Sequence, residues 1–226
     1  MGVRAVTSVG ERSAERERMI AGQIETRGVT APRVLEALRH VPREEFVPAA
    51  LARFAYDDGP LPIGVGQTIS QPYIVAAMIA AAWVSPGDRV LEIGTGSGYG
   101  AAVLSRIADE VFTVERIESL AEAARNRLAE LGYTNVHVLA GDGSLGWPEH
   151  APYDAIVVTA GGPKVPRPLL SQLASGRRLV MPVGETQGGQ RLVRVVRTDE
   201  HEYEYEDLEE VAFVPLIGAE GWSQGG

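Results

Sequence analysis

Three acids, Glu92, Glu115 and Asp142, sit within or just after short apolar runs, and the first is followed at once by Gly94-Thr95-Gly96-Ser97-Gly98. Glycines at a strand-to-helix junction leave backbone N–H groups open to a ligand, because no side chain stands over them. Started at Gly94 the dinucleotide pattern fails, since its last position is Tyr99; started at Gly96 it reads Gly96, Gly98, Ala101, an acceptable variant. The glycines therefore predict a nucleoside-bearing ligand without choosing which. Glu115 stands at roughly the 20-residue distance at which an acid takes a ribose diol, a geometry that serves NAD and S-adenosylmethionine alike. Glu92 tips the balance, because a carboxylate just ahead of the glycines repels a pyrophosphate and attracts the cationic amino-acid end of S-adenosylmethionine. Asp142, between Gly141 and Gly143, can accept a hydrogen bond from an adenine amino group. Alone it reads as an ordinary turn, but three acids after three successive strands make one constellation on the ligand-binding edge of a sheet. Thr159, ending a fourth run, either faces the same ligand or merely ends a strand.

The elements that position these groups are β-branched runs alternating with amphipathic helices from Ser85 onward. Strands are predicted at 89–93, 111–115, 136–140, 155–159 and 179–183, and helices at 99–107, 120–131 and 168–173. Strand-like runs at 191–197 and 202–206 close the sheet antiparallel. The alternation Glu202-Tyr203-Glu204-Tyr205-Glu206 reads as a solvated edge strand rather than a cation-binding face. Ahead of the sheet, 13–27 predicts a helix with Met19, Ile20 and Ile24 on one buried stripe, and the chain's first dozen residues are expected to lack order. A second helix at 34–41, capped by Thr30, stops near Pro42. A Gly- and Pro-dense connection at 57–67 predicts an ordered loop without regular structure, followed by a buried apolar helix at 72–84. The expected fold class is α/β, a doubly wound, mostly parallel, Rossmann-like sheet with an N-terminal helical extension and antiparallel C-terminal strands. Residues 1–84 form the extension and substrate loop and 85–226 the core, packed as one domain.

Composition narrows the chemistry. With 30 acidic against 21 basic residues and a formal charge of -9, a nucleic-acid backbone is a poor partner. The absence of cysteine excludes disulfides, thiolate nucleophiles and zinc–thiolate sites. His40, His137, His150 and His201 lack metal-ligand spacing, so no metal is expected. The charged N-terminus holds no apolar stretch, and Val6 breaks the myristoylation pattern that Met1-Gly2 opens. A cytoplasmic chain without a membrane partner, acting as a monomer, is the expectation.

Beyond the glycine turn, Leu61-Pro-Ile-Gly-Val-Gly-Gln-Thr-Ile-Ser-Gln-Pro-Tyr73, Val41-Pro-Arg-Glu-Glu-Phe-Val47, Gly141-Asp142-Gly143, Ala151-Pro-Tyr-Asp-Ala-Ile156, Leu179 to Gly184 and Phe213-Val-Pro-Leu216 resemble the protein-L-isoaspartate O-methyltransferase family. The likeness runs from about Met19 to Leu216, and its Thr68-Ile69-Ser70 block is far more specific than the glycines. It implies transfer of a methyl group from S-adenosylmethionine to the α-carboxylate of an L-isoaspartyl residue in damaged proteins and peptides. The ester then closes to a succinimide whose hydrolysis returns some normal aspartyl linkage. It also implies Ser70 as the active-site residue, Thr68, Ile69 and Gln71 near both cofactor and substrate, and Val183 and Pro215 flanking the peptide. The cofactor set it implies is Glu92, Gly94, Thr95, Gly96, Ser97, Gly98, Glu115, Arg116, Asp142, Gly143 and Thr159. Where some members carry a His or polar residues, this chain has Val75, Ile217 and Trp222.

A carboxylate nucleophile with a pKa near about 4 is already ionised at neutral pH, so the reaction needs no general base. Positioning and water exclusion remain for the enzyme to supply. Ser70 can orient the carboxylate through its hydroxyl, or it can cap the helix starting at Pro72; residue type and position leave the two roles even. Rival readings are a methyltransferase of another carboxylate or small molecule, an NAD-dependent oxidoreductase, which lacks an evident hydride-transfer acid or base, and a module that only binds S-adenosylmethionine.

Overall fold

A computed structural model describes residues 12–184 and 189–223, so the expectation about the first dozen residues falls almost wholly outside it. Strands β3 (Arg89–Ile93), β4 (Glu110–Glu115), β5 (Val136–Ala140), β6 (Tyr153–Val158), β7 (Leu173–Val183), β8 (Gln190–Arg197) and β9 (Tyr203–Val211) form one sheet in the order β5-β4-β3-β6-β7-β8-β9. The first five are parallel, and β8 and β9 add on antiparallel. Chain order reverses between β3 and β6, and a crevice opens at the carboxyl ends of strands at such a switch point. Gly94 and Thr159 stand there side by side.

Helices α4 (Tyr99–Ser105), α5 (Glu118–Glu130) and α6 (Arg167–Gln172) make the crossovers. Apolar strand residues are buried on both faces, which is why β3, β4 and β6 read as largely apolar runs rather than as alternating ones. On one face Val90, Val111 and Val157 pack with α4 and with Met19, Ile24, Leu38 and Phe46 of the N-terminal segment. On the other, Leu91, Phe112, Ile156 and Leu179 pack with Leu169 of α6. No helix of the described residues is long and apolar enough to cross a membrane.

Several expectations shift. The helix at 13–27 is α1 (Ser13–Met19) continued by a π turn at Ile20–Ile24 and a 3-10 turn at Glu25–Arg27. Helix α2 (Pro32–His40) begins without a side-chain cap: Ala31, not Thr30, occupies the cap position, and Pro32 supplies a preset first turn. The loop at 57–67 contains a hairpin, β1 (Leu61–Gly64) and β2 (Gln67–Ile69), turning through Val65 and Gly66 at positive φ. Helix α3 (Pro72–Ala81) stops three residues early, where Trp83 adopts φ +55°. Strand β7 starts at Leu173, taking the end of the predicted helix, and β9 runs five residues past its predicted end. As expected, β9 is a solvated edge; Arg194 pairs with Glu206 and Arg191 with Asp207 across β8.

Candidate active site

Strand β3 delivers the chain into the switch-point crevice, and Gly94, Gly96 and Gly98 all take positive φ as it turns. At Gly94 the freedom is used for close approach: a Cβ there would collide with the Thr159 hydroxyl, which donates to the Ile93 and Gly94 carbonyls at 3.0 and 2.9 Å. Thr159 thus clamps the glycine turn to β6 while lining the cavity. Gly98, at φ +92°, occupies the N-cap position of α4 and packs against Leu128.

The three acids have different surroundings. Glu92 is buried at 1% exposure and accepts one hydrogen bond, from Thr113 Oγ1 at 2.6 Å; Thr113 also meets Thr95 Oγ1 at 2.7 Å. Burial, with the nearby Glu115 charge acting in the same sense, pushes its carboxyl up to about 8, against the pull of the Thr113 bond. Glu115 lies between two N–H donors, Gly96 at 2.9 Å and Ile117 at 3.0 Å, which tie the end of β4 to the glycine turn. Asp142 does not present a free carboxylate. One oxygen takes the Ser144 N–H and hydroxyl, at 2.9 and 2.7 Å, and the other takes the Ala219 N–H at 2.7 Å, so the second fastens the C-terminal segment directly and the first through Ser144, whose hydroxyl accepts from the Glu220 N–H.

A cavity beneath the glycine turn is lined by Thr68, Ile69, Ser70, Glu92, Gly94, Thr95, Gly96, Ser97, Tyr99 and Thr159. Next to it, Glu115, Arg116 and Gly143 line a second cavity with Pro215 and Ile217, and Thr68, Gly94, Gly96 and Thr159 border both. An open groove then leads outward past Ser70, Gln71, Phe213 and Pro215 to Glu210. The hairpin carries the 61–69 segment inward: the Ile63 side chain reaches within 3.2 Å of where a Gly96 Cβ would lie.

Among the residues expected from sequence, Asp142 lines none of these spaces, for the reason just given. Val183 also stays away; it bridges to Gly162 and packs on the second core. Gln71 reaches the groove but gives its amide to Asp58 at 2.6 Å. Ser70 is not the cap of α3, since Gln71 holds that position and no side chain caps it. The Ser70 hydroxyl makes no hydrogen bond among the described residues, which removes the capping account. His137 and His150 both stack on Phe112, with centroids 4.9 and 4.2 Å away, as packing residues. Sequence reasoning missed Arg43, Tyr99 and Ile63. The proline-flanked 41–47 segment was visible as a motif, but nothing in it distinguishes a buried arginine from an exposed one.

A doubly wound sheet whose switch point carries a glycine turn and two strand-end glutamates is the arrangement of an S-adenosylmethionine-dependent methyltransferase. A family model for protein-L-isoaspartate(D-aspartate) O-methyltransferase matches residues 14–221. The chain is 60% identical over 215 residues, 95% of its length and 96% of the relative's, to protein-L-isoaspartate O-methyltransferase 2 of Pelobacter propionicus. It is 62% identical over 211 residues, 93% of its length and 86% of the other's, to protein-L-isoaspartate O-methyltransferase 1 of Rhodopseudomonas palustris. A solved protein-L-isoaspartate O-methyltransferase superposes with a TM-score of 0.81 at 32% identity, covering 91% of this chain and 67% of that one. The chain belongs to the protein-L-isoaspartate O-methyltransferase family.

Proposed function

We propose that the paired cavities hold S-adenosylmethionine, that the adjoining groove holds an L-isoaspartyl peptide, and that Ser70 orients the peptide's α-carboxylate for methylation. The observation that carries this reading is the convergence of Ser70 and Glu92 on one cavity. The residues fit the cofactor: among the described residues Ser97 Oγ is buried there without a hydrogen-bond partner, the Glu92 carboxyl would give up its proton beside a cation, whose charge opposes the burial that raised it, and Glu115 stands where a ribose diol needs an acceptor. Gly94, Thr95, Gly96, Gly98, Arg116, Gly143 and Thr159 complete that set. Asp142 serves it indirectly, through the C-terminal segment that it anchors. When bound, S-adenosylmethionine supplies an electrophilic methyl group on a sulfonium.

The protein's share is geometric. Its substrate is already an anion, so no side chain has to remove a proton. The unpartnered Ser70 hydroxyl donates to one carboxylate oxygen and leaves the other to react. Thr68, Ile69, Gln71 and Pro215 wall the approach and keep out water that would solvate the nucleophile. Action as a monomer is part of the proposal, and sedimentation at assay concentration tests it.

The deciding assay offers matched isoaspartyl and aspartyl peptides with methyl-labelled S-adenosylmethionine and measures base-labile ester. Label on the isoaspartyl peptide alone is expected; equal label, or none, overturns the reading. Ser70→Ala is expected to slow turnover while keeping cofactor affinity.

A further inference from the structure

Arg43 lies in a 3-10 turn at Arg43–Phe46, and its side chain is wholly buried. A guanidinium removed from water needs its donors used or its charge answered. Among the described residues no carboxylate pairs with Arg43. Its Nε donates to the Ala55 carbonyl at 2.7 Å and one terminal nitrogen donates to the Ser70 carbonyl at 2.8 Å. The other terminal nitrogen has no hydrogen-bond partner, and the guanidinium carbon lies 4.8 Å from the centre of the Tyr99 ring. Burial lowers the guanidinium's proton affinity and Tyr99 opposes that fall, yet arginine stays charged in proteins. One cation therefore joins three segments: the end of the 49–54 turn, the Ser70 loop, and the first residue of the helix that follows the glycine turn.

Ser70 has little else to hold it. Its hydroxyl is unbonded and its carbonyl is fixed by Arg43 alone among side chains. In a trans peptide the carbonyl and the next N–H point in opposite directions. Pulling the Ser70 carbonyl toward Arg43 turns the Gln71 N–H the other way, at the start of α3, whose first N–H groups carry the positive end of the helix dipole.

We propose that Arg43 is a positioning residue for methyl transfer, holding the Ser70–Gln71 peptide from behind so that the Ser70 hydroxyl meets the substrate carboxylate. This rests on the orienting role of Ser70. Lysine in its place keeps the charge but cannot span the Ala55 and Ser70 carbonyls with a planar fork.

A double-mutant cycle tests it. R43K is expected to lower kcat by about tenfold or more, because small misplacements at the reacting centre are amplified in rate. The S-adenosylmethionine Kd should hold within about twofold, and in an S70A background R43K should lower kcat further by less than about twofold. If R43K does not fold at assay temperature, R43Q, which keeps one donor, takes its place in the cycle. The same fold-loss in both backgrounds, no loss in either, or loss of cofactor binding together with Tm overturns the positioning role alone. Full turnover by S70A overturns the orienting role of Ser70 itself.

Discussion

Thr113 on β4 donates its hydroxyl to the Glu92 carboxylate on β3 across 2.6 Å, the one hydrogen bond that carboxylate receives among the described residues. A single neutral donor does not offset the loss of water, and the charge of Glu115 works in the same direction, so Glu92 titrates near 8. In the unfolded chain it would titrate near the ordinary glutamate value. Between those two values the folded protein holds a proton that the unfolded chain has released. Stability attributable to Glu92 is fully present below the ordinary value, falls as pH rises toward 8, and levels off above it. Thermal denaturation at intervals from pH 5 to 9 should show that decline in the native protein and a flatter profile in Glu92→Gln. Equal slopes in the two proteins would refute it.

Gly100, in the first turn of α4, sits directly over that carboxylate. A Cβ at this position would collide with Glu92 Oε1, so the carboxylate must leave its place against Thr113. Gly100→Ala should therefore displace Glu92 and weaken S-adenosylmethionine binding by about tenfold or more, with Tm down by several degrees. The comparison is Gly132→Ser, at a surface turn with open space around it, where only the positive φ is strained and calorimetry should find cofactor affinity unchanged.

Much of this was legible in the amino-acid order because it rests on local signals. The runs of β3, β4 and β6 are rich in β-branched and apolar residues, β3 lies between Asp88 and Gly94, and Glu92 and Glu115 sit at fixed offsets from the glycines. What was not legible depends on distant partners. Strands of four and three residues, Leu61–Gly64 and Gln67–Ile69, are too short to show a period and are masked by their own glycines and prolines. Nothing around Asp142 reveals that one of its oxygens is taken by Ala219, 77 residues away. Arg43 looks like any charged residue of a surface turn until Ala55 and Ser70 close around it.

Asp142 leads to a third expected outcome. Its carboxylate, the Ser144 hydroxyl holding the Glu220 N–H at 3.0 Å, and the Trp222 indole donating to the Gly161 carbonyl at 3.1 Å pin the segment whose Ile217 lines the second cavity, the one proposed to share the cofactor. Asp142→Ala leaves three donors without their acceptor, a loss of about 1–3 kcal/mol for each one that stays buried. Amide hydrogen exchange should then quicken at residues 219–222, and cofactor affinity should fall with it. Weaker binding with exchange unchanged would instead assign Asp142 to direct contact with adenine.

The groove itself carries a charge preference. Among the described residues its lining contains one ionisable acid, Glu210, and no cation; the Glu210 side chain is 89% exposed and touches Arg191 only at 3.9 Å, a pair too open and too distant to cancel its field. An isoaspartyl peptide with a lysine beside the damaged residue should be methylated with higher kcat/KM than one with a glutamate there. For a solvated charge the ratio should be about three- to fivefold at low salt and shrink as salt is added. Glu210→Gln should reduce the ratio and Glu210→Lys should invert it, with the rate on an alanine-flanked peptide unaltered. If all three proteins discriminate equally, the preference arises elsewhere along the acidic edge that β9 presents.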